Sequence, residues 1–141
     1  MGSCYDERLT WGDRFGPFHN EKEFHNWCIS THDWQVQHNP KLYRRAHKTF
    51  RDDHKIIFTH GDLSEFNIHI EVKGPEVRDV CVVGLLDWET AAWIPEYWEP
   101  IKMMHGNSNK DWEELVTQIF PGYEKEIKVD MKLLYMSGRP Y

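Results

Sequence analysis

An α+β fold is predicted for these 141 residues, mainly helical with a small β insert at its centre. Three observations predict it. Apolar residues recur at helical spacing up to Phe50 and again beyond Lys110. Between them the pattern changes to short apolar runs and strict alternation, the signature of strands. The length suits one compact domain, taken as residues 1–141, with no repeat, linker or low-complexity tract.

The elements follow in order. Phe15-Gly16-Pro17-Phe18 reads as a turn, and beyond it Asn20 and Glu23 stand in capping-box relation. Phe24, Trp27, Cys28 and Thr31 then share one helical face, which predicts a helix over 21–35. Pro40 opens a second helix with Leu42, Tyr43, Ala46 and Phe50 on its apolar face, a basic solvated face opposite, and Asp52-Asp53 at its exit. Ile56-Ile57-Phe58 reads as a short buried strand, Ile68–Val72 as an alternating one, and the apolar run 80–86 as a third. The last two read as a hairpin closed around Lys73-Gly74-Pro75. Pro95, Pro100 and Gly106 then punctuate aromatic clusters, and further helices are predicted near 111–120 and 126–136.

Composition removes several function classes. The net charge is −6 and no basic run exceeds Arg44-Arg45, so the chain lacks the surface that neutralises a phosphate backbone, and nucleic acid is not an expected partner. No segment has the apolar length of a signal peptide or membrane span, which predicts a soluble protein with no membrane partner. Cys4, Cys28 and Cys81 are odd in number and form no CxxC pair, which fits a reducing, cytoplasmic location. Cys81, inside an apolar strand, reads as buried and inert. The nine histidines include no HExxH or paired ligand spacing, so zinc is not expected, and His25 and His32, on one helical face, read as ordinary packing or surface groups. Met103-Met104 reads as core filling.

The densest polar cluster is His60-Gly61-Asp62-Leu63-Ser64-Glu65-Phe66-Asn67, directly after one predicted strand and directly before another. A lone Asp after a strand is ordinarily a turn or cap residue. Here an Asn follows five residues later, and the hairpin leads to a second Asp, Asp87, at the end of an apolar strand. Phosphoryl transfer uses such groups: carboxylate and amide oxygens suit Mg²⁺, and an attacking hydroxyl needs a positioned proton acceptor.

The segments Thr59-His60-Gly61-Asp62-Leu63, Asn67-Ile68 and Gly84-Leu85-Leu86-Asp87-Trp88-Glu89 resemble the catalytic loop and metal-binding motif of the aminoglycoside phosphotransferase and choline kinase group. Gly16-Pro17-Phe18 before Glu23-Phe24, and Trp93-Ile94-Pro95-Glu96-Tyr97-Trp98-Glu99, resemble the fungal branch of that group. The resemblance runs from about Trp11 to Tyr123. It implies a protein-kinase-like C-terminal lobe whose hairpin carries the catalytic loop, with Asp62 as base and Asn67 and Asp87 as Mg²⁺ ligands. His60 falls within the same motif, as a catalytic-loop residue that supports the loop. Glu89 is a weaker candidate for a substrate contact, and Trp88, Trp93, Tyr97 and Trp98 are candidates to rim the cleft. The Ser64-Glu65-Phe66 stretch departs from the proline or glycine usual there, while the Asp-to-Asn spacing is kept.

A complete enzyme of the group has an N-terminal lobe that covers ATP and supplies a lysine to its phosphates. Nothing before Trp11 has the length for it, and there is no glycine-rich phosphate loop, so the expectation is a truncated lobe with an open cleft. The favoured function is then a stand-alone enzyme of small-molecule or secondary metabolism, with Asp62, His60 and Asp87 performing isomerisation, cyclisation or dehydration. The alternatives are an Mg-ATP phosphotransferase completed by another chain, and a non-catalytic pseudokinase-like interaction module. A homodimer or a partner chain covering the missing-lobe face is expected under several of these readings.

Overall fold

The computed structural model describes residues 4–6, 14–31, 38–50, 53–105 and 109–137. Two short strands come first, β1 (Cys4–Tyr5) paired antiparallel with β2 (Arg14–Phe15). Helix α1 (Glu21–Thr31) starts at the predicted box, where Asn20 Oδ1 accepts the Glu23 N–H at 3.0 Å and Asn20 Nδ2 donates to Glu23 Oε1 at 3.3 Å. A hydrogen bond from the His19 backbone N–H, reinforced by the His19 ring, holds the Glu23 carboxyl below its usual range. The continuation of the predicted helix over 32–35, and with it His32, lies outside the described residues. Helix α2 (Pro40–Thr49) follows, and of its predicted apolar face Ala46 and Phe50 are buried.

The β insert divides into two pairs. β3 (Ile56–Thr59) runs antiparallel to β6 (Ala92–Pro95), with Phe58 opposite Trp93 and Thr59 opposite Ala92. Alternation turns Thr59, Ala92 and Ile94 inward and leaves Phe58 and Trp93 outside, so the expectation of a wholly buried strand at 56–58 is corrected. β4 (Ile68–Val72) and β5 (Val80–Leu85) form the expected hairpin, with an irregularity between His69 and Ile70 that leaves Val83 as an extra residue on β5. Its loop contains a 3₁₀ turn (Val77–Asp79), closed by Asp79 accepting the Glu76 N–H at 3.1 Å. Cys81 lies opposite Glu71 and is exposed, contrary to the buried position expected for it. Both faces of the hairpin are open here, since Val80, Val82 and Val83 are exposed as well.

Three helices complete the chain: α3 (Trp98–Met104), α4 (Lys110–Ile119) and α5 (Glu124–Ser137). Only α4 and α5 were legible from periodicity. Asn109 caps α4 by accepting the Asp111 N–H at 3.0 Å. The main core joins α1, α2, β6, α3 and α5 through Phe24, Ala46, Ile94, Ile101 and Leu133. Side chains buried this fully contribute about 1.5–3 kcal/mol each when large and apolar. A smaller cluster, Met103, Trp112 and Val116, receives Leu63 and Ile68 from the β insert, and so supports the polar loop from below. Met103 is core filling, as its composition suggested.

Several buried polar groups pair with one another. Glu21 accepts the His54 backbone N–H at 2.8 Å and lies 3.2 Å from His25 Nε2, while Lys102 pairs with Asp6 at 2.9 Å. Among the described residues no helix is long and apolar enough to cross a membrane.

Candidate active site

The loop 60–67 leaves β3 at its core-facing end and returns into β4, so both of its ends are fixed by strands. Its position is set by a carboxylate from α3. Glu99, in the first turn of that helix and buried, accepts the backbone N–H groups of His60 at 2.7 Å and Gly61 at 3.1 Å on Oε2, and that of Leu63 at 3.4 Å on Oε1. Hydrogen bonds to an ionised acceptor are the stronger kind, and three of them converge here on one side chain. Gly61 sits at φ +79°, where a Cβ would come within 2.9 Å of the Thr90 carbonyl oxygen, so only glycine fits the turn. Thr90 closes the contact by donating from Oγ1 to the His60 carbonyl at 2.9 Å.

His60 links the loop to β5. Its Nδ1 accepts the Asp62 backbone N–H at 3.3 Å, and its Nε2 donates to the Leu86 carbonyl at 2.8 Å. This pairing fixes the Nε2–H tautomer and occupies both ring nitrogens. The ring is also buried, with the Trp88 indole 4.5 Å away between centroids. His60 therefore lacks a free nitrogen to take a substrate proton. These bonds make His60 a brace between loop and hairpin, at the residue the sequence reading also set beside Asp62 and Asp87.

Asp62 and Asn67 meet directly: Asn67 Nδ2 donates to the Asp62 carbonyl at 2.7 Å and to Asp62 Oδ2 at 3.0 Å. The Asn67 carbonyl in turn accepts the Leu86 N–H at 2.9 Å, which sets Asp87 one residue beyond the loop's far end. Asp87 has φ +60°, the one positive value outside glycine among the described residues. Aspartate tolerates this left-handed conformation better than most residues, and such conformations gather at functional sites. Asp62 and Asn67 thus touch at the start of the hairpin, and the Leu86–Asn67 backbone bond brings the chain at Asp87 to the same mouth. The Asn67 Nδ2 is committed to Asp62, while Asn67 Oδ1, one oxygen of Asp62 and the Asp87 carboxylate make no hydrogen bond within the described residues. These are hard oxygen donors of the type Mg²⁺ accepts. No cluster of three His, Cys, Asp or Glu side chains suited to a metal occurs among the described residues.

Beside this mouth lies an aromatic shelf. Phe58 stacks on Trp88 at 5.9 Å with planes 10° apart, and Trp93 stands 5.8 Å from Phe58 on the other side. All three rings are about half exposed, at 52 %, 45 % and 56 % for Phe58, Trp88 and Trp93. The Trp88 indole N–H is anchored to the Leu85 carbonyl at 2.8 Å. Glu89 is exposed next to the shelf.

Two expected rim residues lie elsewhere. Tyr97 is 1 % exposed, with its hydroxyl against His25 Nε2, and Trp98 is 2 % exposed, edge-on to Phe24 at 5.1 Å. They belong to the core because β6 feeds directly into α3, whose first turn points inward. Burial raises the Tyr97 hydroxyl well above its usual value, with nearby Cys28 and the carboxylates of Glu21, Asp130 and Glu126 adding to the effect. Glu99 and Phe58 were given no role from the sequence. An acidic residue on the apolar first turn of a helix, between Trp98 and Ile101, is the signal that marks Glu99.

The profile described as the phosphotransferase enzyme family (APH) matches residues 6–134. Comparison with curated proteins and with solved structures gives no match.

Proposed function

Because the chain belongs to the phosphotransferase enzyme family, we propose that the Asp62–Asn67–Asp87 mouth is the catalytic half of a small-molecule phosphotransferase, corresponding to a kinase-like C-terminal lobe. The observation that carries this reading is the Asn67 amide clamped to Asp62 while its backbone joins β5 immediately before Asp87. Asp62 accepts a proton from an acceptor hydroxyl, and Asn67 fixes the carboxylate's orientation for that task. Bound through Asn67 Oδ1 and Asp87, Mg²⁺ would neutralise charge developing on a transferred phosphoryl group of ATP. Glu99 and His60 hold the loop and hairpin at constant separation, so the groups are positioned before substrate arrives. The shelf of Phe58, Trp88 and Trp93 offers an apolar surface for the organic part of a substrate.

Asp62 and Asp87 are exposed, and the shelf is open on its outer side. A base for isomerisation or dehydration without nucleotide works best in a desolvated pocket, which tunes its proton affinity. The openness of the mouth therefore favours a site covered by a second body over a self-sufficient acid–base enzyme.

A thermal-shift titration with Mg²⁺, ATP and both together tests the reading. Stabilisation by the pair, lost in Asp87→Asn, is the expected result. Equal melting temperatures under all conditions, in the presence as well as the absence of a co-purified partner, refute it.

A further inference from the structure

β4 presents a free edge whose sequence is complementary to itself. All residues from His69 to Lys73 are exposed, and β4 pairs only with β5 among the described strands. Two features mark β4, rather than β5, as the edge open to pairing. β5 carries the extra residue Val83 and Gly84, a bulge of the kind that twists an edge away from partners. β4 is regular: the Asn67 carbonyl and the Lys73 N–H both bond towards β5, so Ile68, Ile70 and Val72 turn their backbone groups to the outer side.

An antiparallel pairing about a two-fold axis at Ile70 sets those outward-facing residues opposite one another, Ile70 against Ile70 and Ile68 against Val72. On the other face it sets His69 against Glu71 and Asn67 against Lys73. Every contact except Ile70 against Ile70, which lies on the axis, occurs twice, with opposite or polar partners on one face and β-branched aliphatic partners on the other. A shift of one residue in the register loses both patterns. The β4–β5 ribbon has only two strands and leaves Ile70, Val72, Val80 and Val82 uncovered, whereas sheets of three or more strands are independently stable.

We propose that two copies of this chain join through β4 in that register, forming a four-stranded sheet in the order β5, β4, β4 and β5, and that each copy thereby brings Lys73 beside Asn67 of the other. The second half of the proposal rests on the phosphotransfer reading. Lys73 is exposed and rests on Glu71 of its own strand at 3.1 Å, and in the pair Glu71 faces His69 of the second copy. The ammonium of Lys73 then supplies the mouth with a cation for an anionic phosphate group.

The test is sedimentation velocity across a concentration series. The wild-type chain dimerises, and His69→Glu, which sets Glu against Glu twice, weakens the dimer about tenfold or more. The double variant His69→Glu with Glu71→Lys restores it, and Val83→Lys on the bulged edge leaves it unchanged. In a Cys81→Ser background, a mixture of His69→Cys and Glu71→Cys chains forms an interchain disulfide under mild oxidation, while neither chain does so alone. A chain that stays monomeric at its highest soluble concentration overturns the pairing. So does a dimer indifferent to His69→Glu or broken by Val83→Lys. Lys73→Ala keeps the dimer and weakens Mg-ATP binding about tenfold, the scale of one lost charged hydrogen bond. Unchanged Mg-ATP affinity in that variant overturns the lysine's part. Absence of Mg-ATP binding in every variant overturns the phosphotransfer reading and the lysine's part with it, while the pairing stands or falls by sedimentation alone.

Discussion

Replacing Glu99 by Gln isolates the anchoring of the catalytic loop. The side chain keeps its length and its place in the first turn of α3, but an amide NH₂ now occupies one of the two oxygen positions. In the better of the two orientations the amide oxygen replaces Oε2 and still accepts from His60 and Gly61, now as a neutral group, while the NH₂ faces the Leu63 N–H. Loss of charge assistance in two bonds costs about 1 kcal/mol each, and one donor left facing a donor costs about 1–3 kcal/mol. The total of about 3–5 kcal/mol is a large part of the 5–15 kcal/mol typical of a domain. Urea denaturation followed by far-UV dichroism measures it, with an accompanying fall in melting temperature of about 10 °C. Hydrogen exchange localises it: the amides of His60, Gly61 and Leu63 lose protection before those of Phe24 or Ile101. Glu99→Gln with unchanged midpoint and unchanged loop protection would show that the carboxylate is not what holds the loop.

Other outcomes follow from the same structure. Gly61→Ala places a Cβ against the Thr90 carbonyl at a positive φ and destabilises by about 1–3 kcal/mol, measured by the same denaturation. Ile101→Ala empties a fully buried position and costs about 2–5 kcal/mol, with the loss read as a lower urea midpoint at constant slope. Alkaline titration reports on Tyr97. Its folded-state hydroxyl holds its proton more tightly than in the unfolded chain, so its contribution is fully present below about pH 10 and declines as pH rises through the higher folded value. Tyr97→Phe therefore flattens the fall of stability above pH 10, and an alkaline limb as steep as wild type contradicts the assignment.

What the sequence made legible was local. The capping box at Asn20 and Glu23, the hairpin of β4 and β5, and the five-residue step from Asp62 to Asn67 depend on neighbours along the chain, and each has the expected form. The short α3 was missed because its seven residues, Trp98–Met104, include Pro100 and show too few turns for a period to emerge. Tyr97 and Trp98 were misplaced for a related reason. Aromatic residues near a polar motif fit a pocket wall or a core equally well, and only the direction in which β6 enters α3 decides between them. Glu99 bonds to His60 from 39 residues away, a distance over which side-chain pairing leaves no periodic trace. For His60 the motif was visible, but its pairing with the Leu86 carbonyl required the hairpin to be folded first.

The brace formed by Glu99 and His60 separates two kinds of change. It grips the loop through main-chain groups of His60, Gly61, Asp62 and Leu63 and the hairpin through the Leu86 carbonyl, leaving Phe58, Trp88 and Trp93 to project from backbone already held in place. Phe58 and Trp93 can be exchanged for larger, smaller or charged side chains with Asp62 and Asp87 kept in register, whereas Trp88 lies against the His60 ring and bonds the Leu85 carbonyl. Mutational libraries aimed at new ligands therefore belong at Phe58 and Trp93, and the brace should be left out of them.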